Sequence, residues 1–348
     1  MDESKLMEFV GKAVGDVGAV LAGSMVVIGD RLGLYRAMAG AGALTSEELA
    51  KKTGTSERYV REWLGAQAAS GYVVYAGDGR YELPAEHAVP LTDESSAACV
   101  IGAFETAIGA AQATDRIADA FLTGEGVFWG DHDSHVHTGC ERFFRPGYVN
   151  FLTSTWIPAL DGVEARLHKG IRVADVGCGR GASTVHLAQA YPRSTFTGVD
   201  AHDGSVDAAR KSAAEAGVAD RVTFEQSTAK SFDGTYDLIA FFDCLHDLGD
   251  PVGALAHARE RLAEGGTVLI VEPMAGDRVE DNLNPVGAAY YGFSTLLCTP
   301  NSLSQETKTA LGAQAGEGRI RDVAAQAGLS QFRRVAETPF NLVFEAKV

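Results

Sequence analysis

Three glycines at alternate positions, Gly177, Gly179 and Gly181, follow the apolar, β-branched run 171–176 and precede a helical pattern that starts near Ser183 and stops at Pro192. Glycines at a strand end let the main chain turn tightly and approach a ligand more closely than any Cβ allows. The spacing therefore predicts a small-molecule site. Two carboxylates flank it: Asp175 ahead of the turn, and Asp200 closing the next apolar run, 195–199. A carboxylate at a strand end about twenty residues past a glycine turn can accept hydrogen bonds from both hydroxyls of a ribose. An adenosine-type ligand fits. Gly177-x-Gly179-x-x-Ala182 also satisfies the permissive dinucleotide fingerprint, so the glycine spacing leaves a nicotinamide cofactor and S-adenosylmethionine both open. A second group with chemistry is His246, four residues past the run 236–242, because an imidazole can take a proton from a hydroxyl at neutral pH. His132, His135 and His137 form a third group whose residue types suit a metal. Glycine-rich loops with histidines also occur at pocket mouths and on solvated surfaces; the reading here is substrate contact or exposure, with no metal.

These groups need a scaffold, and the pattern after residue 160 supplies one. Apolar runs at 171–176, 195–199, 221–225, 236–242 and 267–271 alternate with helical stretches at 204–217 and 251–263, the latter opened by Pro251. Alternation of this kind gives a parallel sheet with helices on its faces. The strand ends Gly177, Asp200 with Ala201, Ser227-Thr228-Ala229, Phe242 with Asp243, and Glu272 should converge at the carboxyl edge, where open sheets bind ligands. The tail, 331–337 and 340–346 around Pro339, reads as a terminal antiparallel pair. The expected fold class is α/β, a Rossmann-like, mostly parallel sheet with an antiparallel C-terminal strand, behind a mostly α N-terminal domain. Residues 275–317 are too long for a plain connection and read as a lid.

The N-terminal part is organised differently. Residues 4–39 are rich in Ala, Val and Gly and poor in charge, which predicts helices buried on more than one side and hence a homodimer interface. In residues 45–64, Ser46 and Ser56 read as caps of two helices across Thr53-Gly54-Thr55, and strands at 72–76 and 80–83 read as a hairpin across Gly77-Asp78-Gly79. This is a winged helix. Its second helix interleaves Arg58 and Arg61 with Glu57 and Glu62, and the chain as a whole carries a net charge of -16. DNA readers want a basic footprint, so a dimerising role is expected and nucleic acid is not. Residues 93–121 read as one long Ala-rich helix, 123–147 as an irregular connection, and Phe143, Phe144, Tyr148, Phe151 and Trp156 as lying on a helix that leads to Pro158. The expected divisions are a winged-helix dimerisation domain over 1–92, a helical connector that roofs the site over 93–160, and the ligand-binding domain over 161–348. The five cysteines are scattered without a C-x-x-C pair, and the apolar stretch 17–29 is short and glycine-rich. A reduced, cytoplasmic protein without a membrane span is expected.

With Asp175 counted, D-V-G-C-G-R-G resembles motif I of the class I S-adenosylmethionine-dependent methyltransferases. F-F-D-C-L-H-D-L-G-D-P at 241–251, V-E-P-M at 271–274 and the stretch N-P-V-G-A-A-Y-Y-G-F-S-T-L-L-C-T-P extend the likeness to small-molecule methyltransferases with an N-terminal winged helix, of the Rv2258c-like branch. The resemblance implies S-adenosylmethionine as cofactor, S-adenosylhomocysteine as product, and a small, partly aromatic acceptor methylated at a hydroxyl. In the related plant-type O-methyltransferases an H-D-W-S-D segment supplies the base. Here His246, Asp247 and Asp250 are retained, Leu248 and Gly249 replace Trp and Ser, and Glu272 stands at the position that orients the base. The resemblance further implies cofactor contacts from Asp175, Gly177, Gly179, Asp200, Ala201, Ser227, Thr228, Ala229, Phe242 and Asp243. The acid usual near the adenine is absent, and hydroxyls at Ser227-Thr228 stand in its place. Acceptor contacts are expected from Trp129, His132, Tyr148, Phe151, Trp156, Met274, Tyr290 and Tyr291. Two other readings remain: a cofactor-sensing regulator that uses the winged helix, and a nicotinamide-dependent oxidoreductase.

Overall fold

The computed structural model describes residues 1–348 and divides them into two compact units, Met1–Ile108 with Thr138–Pro146, and Gly109–His137 with Gly147–Val348. The second unit is built on seven strands: β1 (Arg172–Val176), β2 (Thr195–Asp200), β3 (Val222–Gln226), β4 (Tyr236–Phe242), β5 (Leu262–Pro273), β6 (Gln331–Glu337) and β7 (Asn341–Lys347). Their order across the sheet is β3-β2-β1-β4-β5-β7-β6. The first five are parallel, with Val176 paired to Val199 and to Phe241, and β7 runs antiparallel against β5, Val271 opposite Val343. Leu238 to Phe241 and Val268 to Val271 are wholly buried because helices cover both faces of a parallel sheet. The chain reverses its direction of travel across the sheet between β1 and β4, the switch point at which a crevice opens beyond the carboxyl ends of the strands.

Two glycines around the first turn are there for space as well as freedom. Gly177 lies at φ 74°, and a Cβ on it would meet the Cys244 sulfur at 2.7 Å. Gly179 lies at φ 53° with nothing within 4 Å of where a Cβ would stand, so one side of the turn is open.

The first unit contains the helices Glu3–Arg31, Leu34–Met38, Ser46–Thr53 and Glu57–Ala69, and a three-stranded sheet in which Val74–Gly77 and Arg80–Glu82 form the wing hairpin. Gly77, Asp78 and Gly79 all take positive φ at its tip. Trp63, Leu64, Val60, Leu49, Tyr35 and Val26 close the core. A buried ion cluster holds the rest: Arg142 donates to Asp30 and Glu105 at 2.9 and 2.8 Å and to Glu94 at 2.5 Å.

Five readings need correction. Thr45, not Ser46, caps the third helix, in a reciprocal capping box with Glu48, while Ser46 sits inside it and donates to Glu57 at 2.6 Å. Ser56 occupies a cap position without a side-chain cap bond. The single helix expected over 93–121 is two, Ile101–Ala111 and Thr114–Thr123, because Asp93 folds into a local turn with Ser95 and the chain tightens to i→i+3 bonds at Gln112 and Ala113. The expected irregular stretch 123–147 contains a 3-10 turn, Trp129–Asp131, and a helix, Ser134–Gly147, so His135 and His137 are helical. The Asp133 side chain accepts the His135 N–H at 2.9 Å and so opens that helix. Within the first unit, Gly139 on this helix packs so close to Thr106 that no larger residue fits. The first half of helix Glu3–Arg31, expected to be buried on several sides, leaves Met7, Phe9, Val14, Val17, Val20 and Leu21 exposed.

Candidate active site

The carboxyl edge of the sheet gathers the groups that the sequence singled out. Asp200 at the end of β2 spans two backbone donors: Oδ2 accepts the Gly179 N–H and Oδ1 the His202 N–H, both at 2.9 Å. It thereby ties the glycine turn of β1 to the start of the next helix. Asp175, wholly buried in β1, accepts the Ser183 and Thr184 hydroxyls on Oδ2, each at 2.6 Å, while Oδ1 has no partner. Burial pushes its pKa up to about 6. Asp243, just past β4, takes the left-handed φ of 51°, a conformation that costs a residue with a Cβ and persists at sites where the surroundings enforce it. Asn341 donates to its Oδ1 at 2.8 Å, Oδ2 has no partner, and burial beside Glu272 raises its pKa well above the usual carboxylate range.

Behind these lies the His246–Glu272 couple. His246 rides on a single 3-10 turn, Leu245–Asp247, and Glu272 projects from β5, so adjacent strands of the sheet deliver the two side chains. His246 Nδ1 stands 2.8 Å from Glu272 Oε2, the other carboxylate oxygen accepts the Leu245 N–H at 3.1 Å, and both residues are 3% exposed. Burial opposes a charge on the imidazole, but the Glu272 carboxylate outweighs that and raises its pKa well above 6.5. Burial likewise lifts Asp247, up to about 7.

Two segments cover this edge. Tyr148, Phe151 and Trp156 come from the π-helical stretch Tyr148–Trp156, where Phe151 stacks on Trp156 and Tyr148 meets Phe242 edge-on at 5.4 Å. Trp129 and His132 gather instead with His137 and His202, the last two stacked at 4.9 Å, so this group stands next to Asp200. His132 is buried with both ring nitrogens unpartnered, and burial together with His202 brings His137 down to about 4. Burial lowers the pKa of His132 as well. His135 pairs with Asp133, and no three His, Cys, Asp or Glu side chains are grouped so as to hold a metal.

Residues 20–93 match the Rv2258c-like winged HTH domain and residues 167–314 match the methyltransferase domain family. The chain carries a winged helix and a class I methyltransferase domain. A protein of Nostoc punctiforme solved as a putative O-methyltransferase superposes with a TM-score of 0.74 over 97% of this chain and 98% of that one, at 20% identity. A 3-hydroxy-5-methyl-1-naphthoate 3-O-methyltransferase of Streptomyces sahachiroi is 29% identical over 77% of each chain. The trans-aconitate 2-methyltransferase of Deinococcus radiodurans is 32% identical over 32% of this chain, a match that spans 42% of its own length. An uncharacterised Synechococcus protein, 36% identical over 102 residues, is matched over 24% of its length.

Within the methyltransferase domain several expected contacts have other partners. Ser227 and Thr228 both hydrogen-bond Ser231, at 2.9 and 2.7 Å, and so first of all shape their own loop, with Ala229 inside it. Ala201 offers its carbonyl to Gln226 at 3.4 Å. Asp250 caps helix Pro251–Arg261 through Gly253 and pairs with Lys230, which takes it out of the base's surroundings. Tyr290 is buried and donates to the Phe340 carbonyl, Met274 packs on the sheet core, and Tyr291 points outward. Asn301 is a residue the sequence did not reveal. Its Oδ1 accepts the Trp129 N–H at 3.0 Å and its Nδ2 donates to the Asp247 carbonyl at 3.2 Å, which joins the Trp129 segment to the loop of His246. A lone asparagine in a short helix carries no motif, so only the fold could expose it.

Proposed function

We propose that the chain transfers a methyl group from S-adenosylmethionine to a hydroxyl of a small, partly aromatic metabolite. The observation that carries this reading is the buried His246–Glu272 couple at the same sheet edge as the Asp200-clamped glycine turn. The site fits the cofactor on three counts. Gly179 leaves open space at the turn, Asp200 stands where a ribose diol would be held, and the unpartnered oxygens of Asp175 and Asp243 suit a cationic ligand in a region otherwise rich in buried carboxylate. When bound, the sulfonium supplies an already activated methyl. The protein's part is then alignment and removal of a proton. Glu272 on Nδ1 fixes the imidazole tautomer that leaves Nε2 free to accept the hydroxyl proton, and the same carboxylate stabilises the imidazolium formed. Tyr148, Phe151, Trp156 and Phe242 provide an aromatic wall, and the named activity of the Streptomyces relative makes hydroxylated naphthalenes the first acceptors to try.

The winged helix is read as a dimerisation element in a cytoplasmic protein. Its arginines are engaged within the chain, Arg58 with Glu62, Arg61 with Glu57 and Arg80 with Glu48, which leaves little basic surface for a phosphate backbone. The exposed valine face of helix Glu3–Arg31 is the surface proposed to meet a second copy. Calorimetric titration with S-adenosylmethionine and with NAD, followed by chromatographic detection of S-adenosylhomocysteine in the presence of hydroxynaphthalenes, tests the function. Binding of NAD alone would overturn it. Sedimentation of the full chain should give a dimer.

A further inference from the structure

His246 sits on a turn that holds itself poorly. The bonds that close it are long, from the Asp247 N–H to the Cys244 carbonyl at 3.3 Å and from the Leu248 N–H to the Leu245 carbonyl at 3.4 Å, and a lone 3-10 turn has no further turns to support it. Support comes from residues 301–312 of the insertion. The carbonyls of residues 246 to 249 all end there: His246 accepts the Gly312 N–H at 3.2 Å, Asp247 the Asn301 and Gln305 side-chain amides at 3.2 and 3.3 Å, Leu248 the Ser302 hydroxyl at 2.9 Å, and Gly249 the Thr309 N–H at 2.9 Å. In return the Gly249 N–H donates to Gln305 Oε1 at 2.8 Å.

Two details show that the backbone is shaped for this dock. A Cβ on Gly249 would stand 2.4 Å from the Gln305 Cβ, so the glycine that replaces the serine of H-D-W-S-D is what lets Gln305 approach. Lys308 and Ala310 take left-handed φ of 55° and 49° on either side of Thr309, a costly conformation for residues with a Cβ, and between them the Thr309 N–H reaches the loop. Asn301 has a second engagement, since its Oδ1 accepts the Trp129 N–H. One side chain thus serves both the base loop and the segment beside the aromatic group.

We propose that Asn301 and Gln305 are positioning residues for the base: their amides hold the Asp247 carbonyl, fix the turn beneath His246, and so keep the imidazole on Glu272 with Nε2 free to accept a proton. This rests on the reading of His246 as the base. The ring is then fixed from two directions, by Glu272 at Nδ1 and by the insertion through the main chain. Without the amides the turn keeps little beyond its own long bonds, and the ring swings away from the carboxylate. An acceptor still binds, but its hydroxyl no longer meets the base at hydrogen-bond distance, so the cost falls on kcat and not on KM.

The experiment uses the full chain and the variants Gln305→Met, Asn301→Ala and, as a control, Thr307→Ala. Gln305 is partly exposed, so its replacement spares the fold even where loss of the buried Asn301 does not; Thr307 is exposed and donates nothing to the loop. With an acceptor that the parent methylates, Gln305→Met and Asn301→Ala should each lower kcat by about 10–10²-fold, the cost of a catalytic group misplaced by about 1 Å, with KM and cofactor affinity within about twofold of the parent. Thr307→Ala should match the parent. Proton NMR titration of the His246 ring, which needs no methyl transfer, should show the midpoint falling toward the ordinary value of about 6.5 in Gln305→Met and Asn301→Ala and staying in place in Thr307→Ala. An unmoved midpoint in Gln305→Met, or a raised KM with kcat unchanged, overturns the proposal. In a chain that methylates no acceptor the titration decides: a fallen midpoint leaves the positioning role standing and overturns the methyltransferase reading alone.

Discussion

The Asp200 carboxylate accepts the backbone N–H of Gly179 at 2.9 Å, so the residue proposed to hold a ribose also sets the conformation of the turn on the neighbouring strand. The two roles can be separated. Asp200→Ala should weaken S-adenosylhomocysteine binding by about 1.5–3 kcal/mol, the scale of a hydrogen bond to a charged group. Asp200→Asn keeps an acceptor for Gly179 and should recover part of that loss. Calorimetry on the two variants checks both, and equal affinities for parent and alanine variant would remove Asp200 from the cofactor site.

His246→Ala should leave S-adenosylhomocysteine affinity nearly unchanged and lower methyl transfer by about 10²–10⁴-fold, the worth of a positioned base. Loss of cofactor affinity as well would mark His246 as a structural residue.

The raised pKa of His246 gives the reaction a pH dependence of definite sign. Proton abstraction needs the neutral imidazole, and Glu272 favours the charged form, so the midpoint of the rising rate should lie above pH 6.5, where an ordinary histidine is half titrated. Glu272→Gln should move the midpoint of this limb downward. A pH–rate profile of kcat for the two chains makes the comparison; identical midpoints would show that the base is not His246.

Asp175 and Asp247, lifted to about 6 and about 7, bind protons more tightly folded than unfolded. The chain without ligand should therefore lose stability as the pH rises from about 4 through these values. A bound sulfonium favours the ionised carboxylates. Binding of S-adenosylmethionine near pH 6.5 should release more protons than binding of the neutral-sulfur product, which titrations in buffers of different ionisation enthalpy can count.

In the winged-helix unit, Arg142→Met should destabilise the fold by about 3–5 kcal/mol, because it strands the buried Glu105 carboxylate and leaves Asp30 and Glu94 with Arg36 and Arg145 alone. Chemical denaturation measures this. A change below 1 kcal/mol would mean that these carboxylates find other partners or water.

The sequence carried the sheet well because each strand is a short run of β-branched and aromatic residues bounded by glycine, proline or a carboxylate; 236–242 and 331–337 are read to the residue. It was weaker where two signals compete locally. Ser46 and Thr45 are both good caps, and only the reach of Glu48 back to the Thr45 N–H decides between them. Across 123–147 the glycines and histidines read as loop, whereas Gly139 is there for close packing against Thr106. At the site, Gly177, Asp200, His246 and Glu272 were legible because strand ends of a parallel sheet must converge. The placing of Asn301 between Trp129 and Asp247 depends on how a long insertion folds back, which has no local periodicity to announce it.

That insertion and the Trp129 segment are fastened to each other. Val127 donates to the Pro300 carbonyl at 2.9 Å, Trp129 to Asn301, and a Cβ on Gly126 would collide with the backbone at Leu303 and Ser304. Cover pieces joined in this way should leave and return together, so opening is expected to be one concerted event that keeps these bonds and breaks those from Asn301, Ser302 and Gly312 to the loop of His246. Turnover would then be timed by this opening and not by the displacement itself, and a rapid-quench trace would show one product per site formed in a fast burst before the slower steady rate sets in.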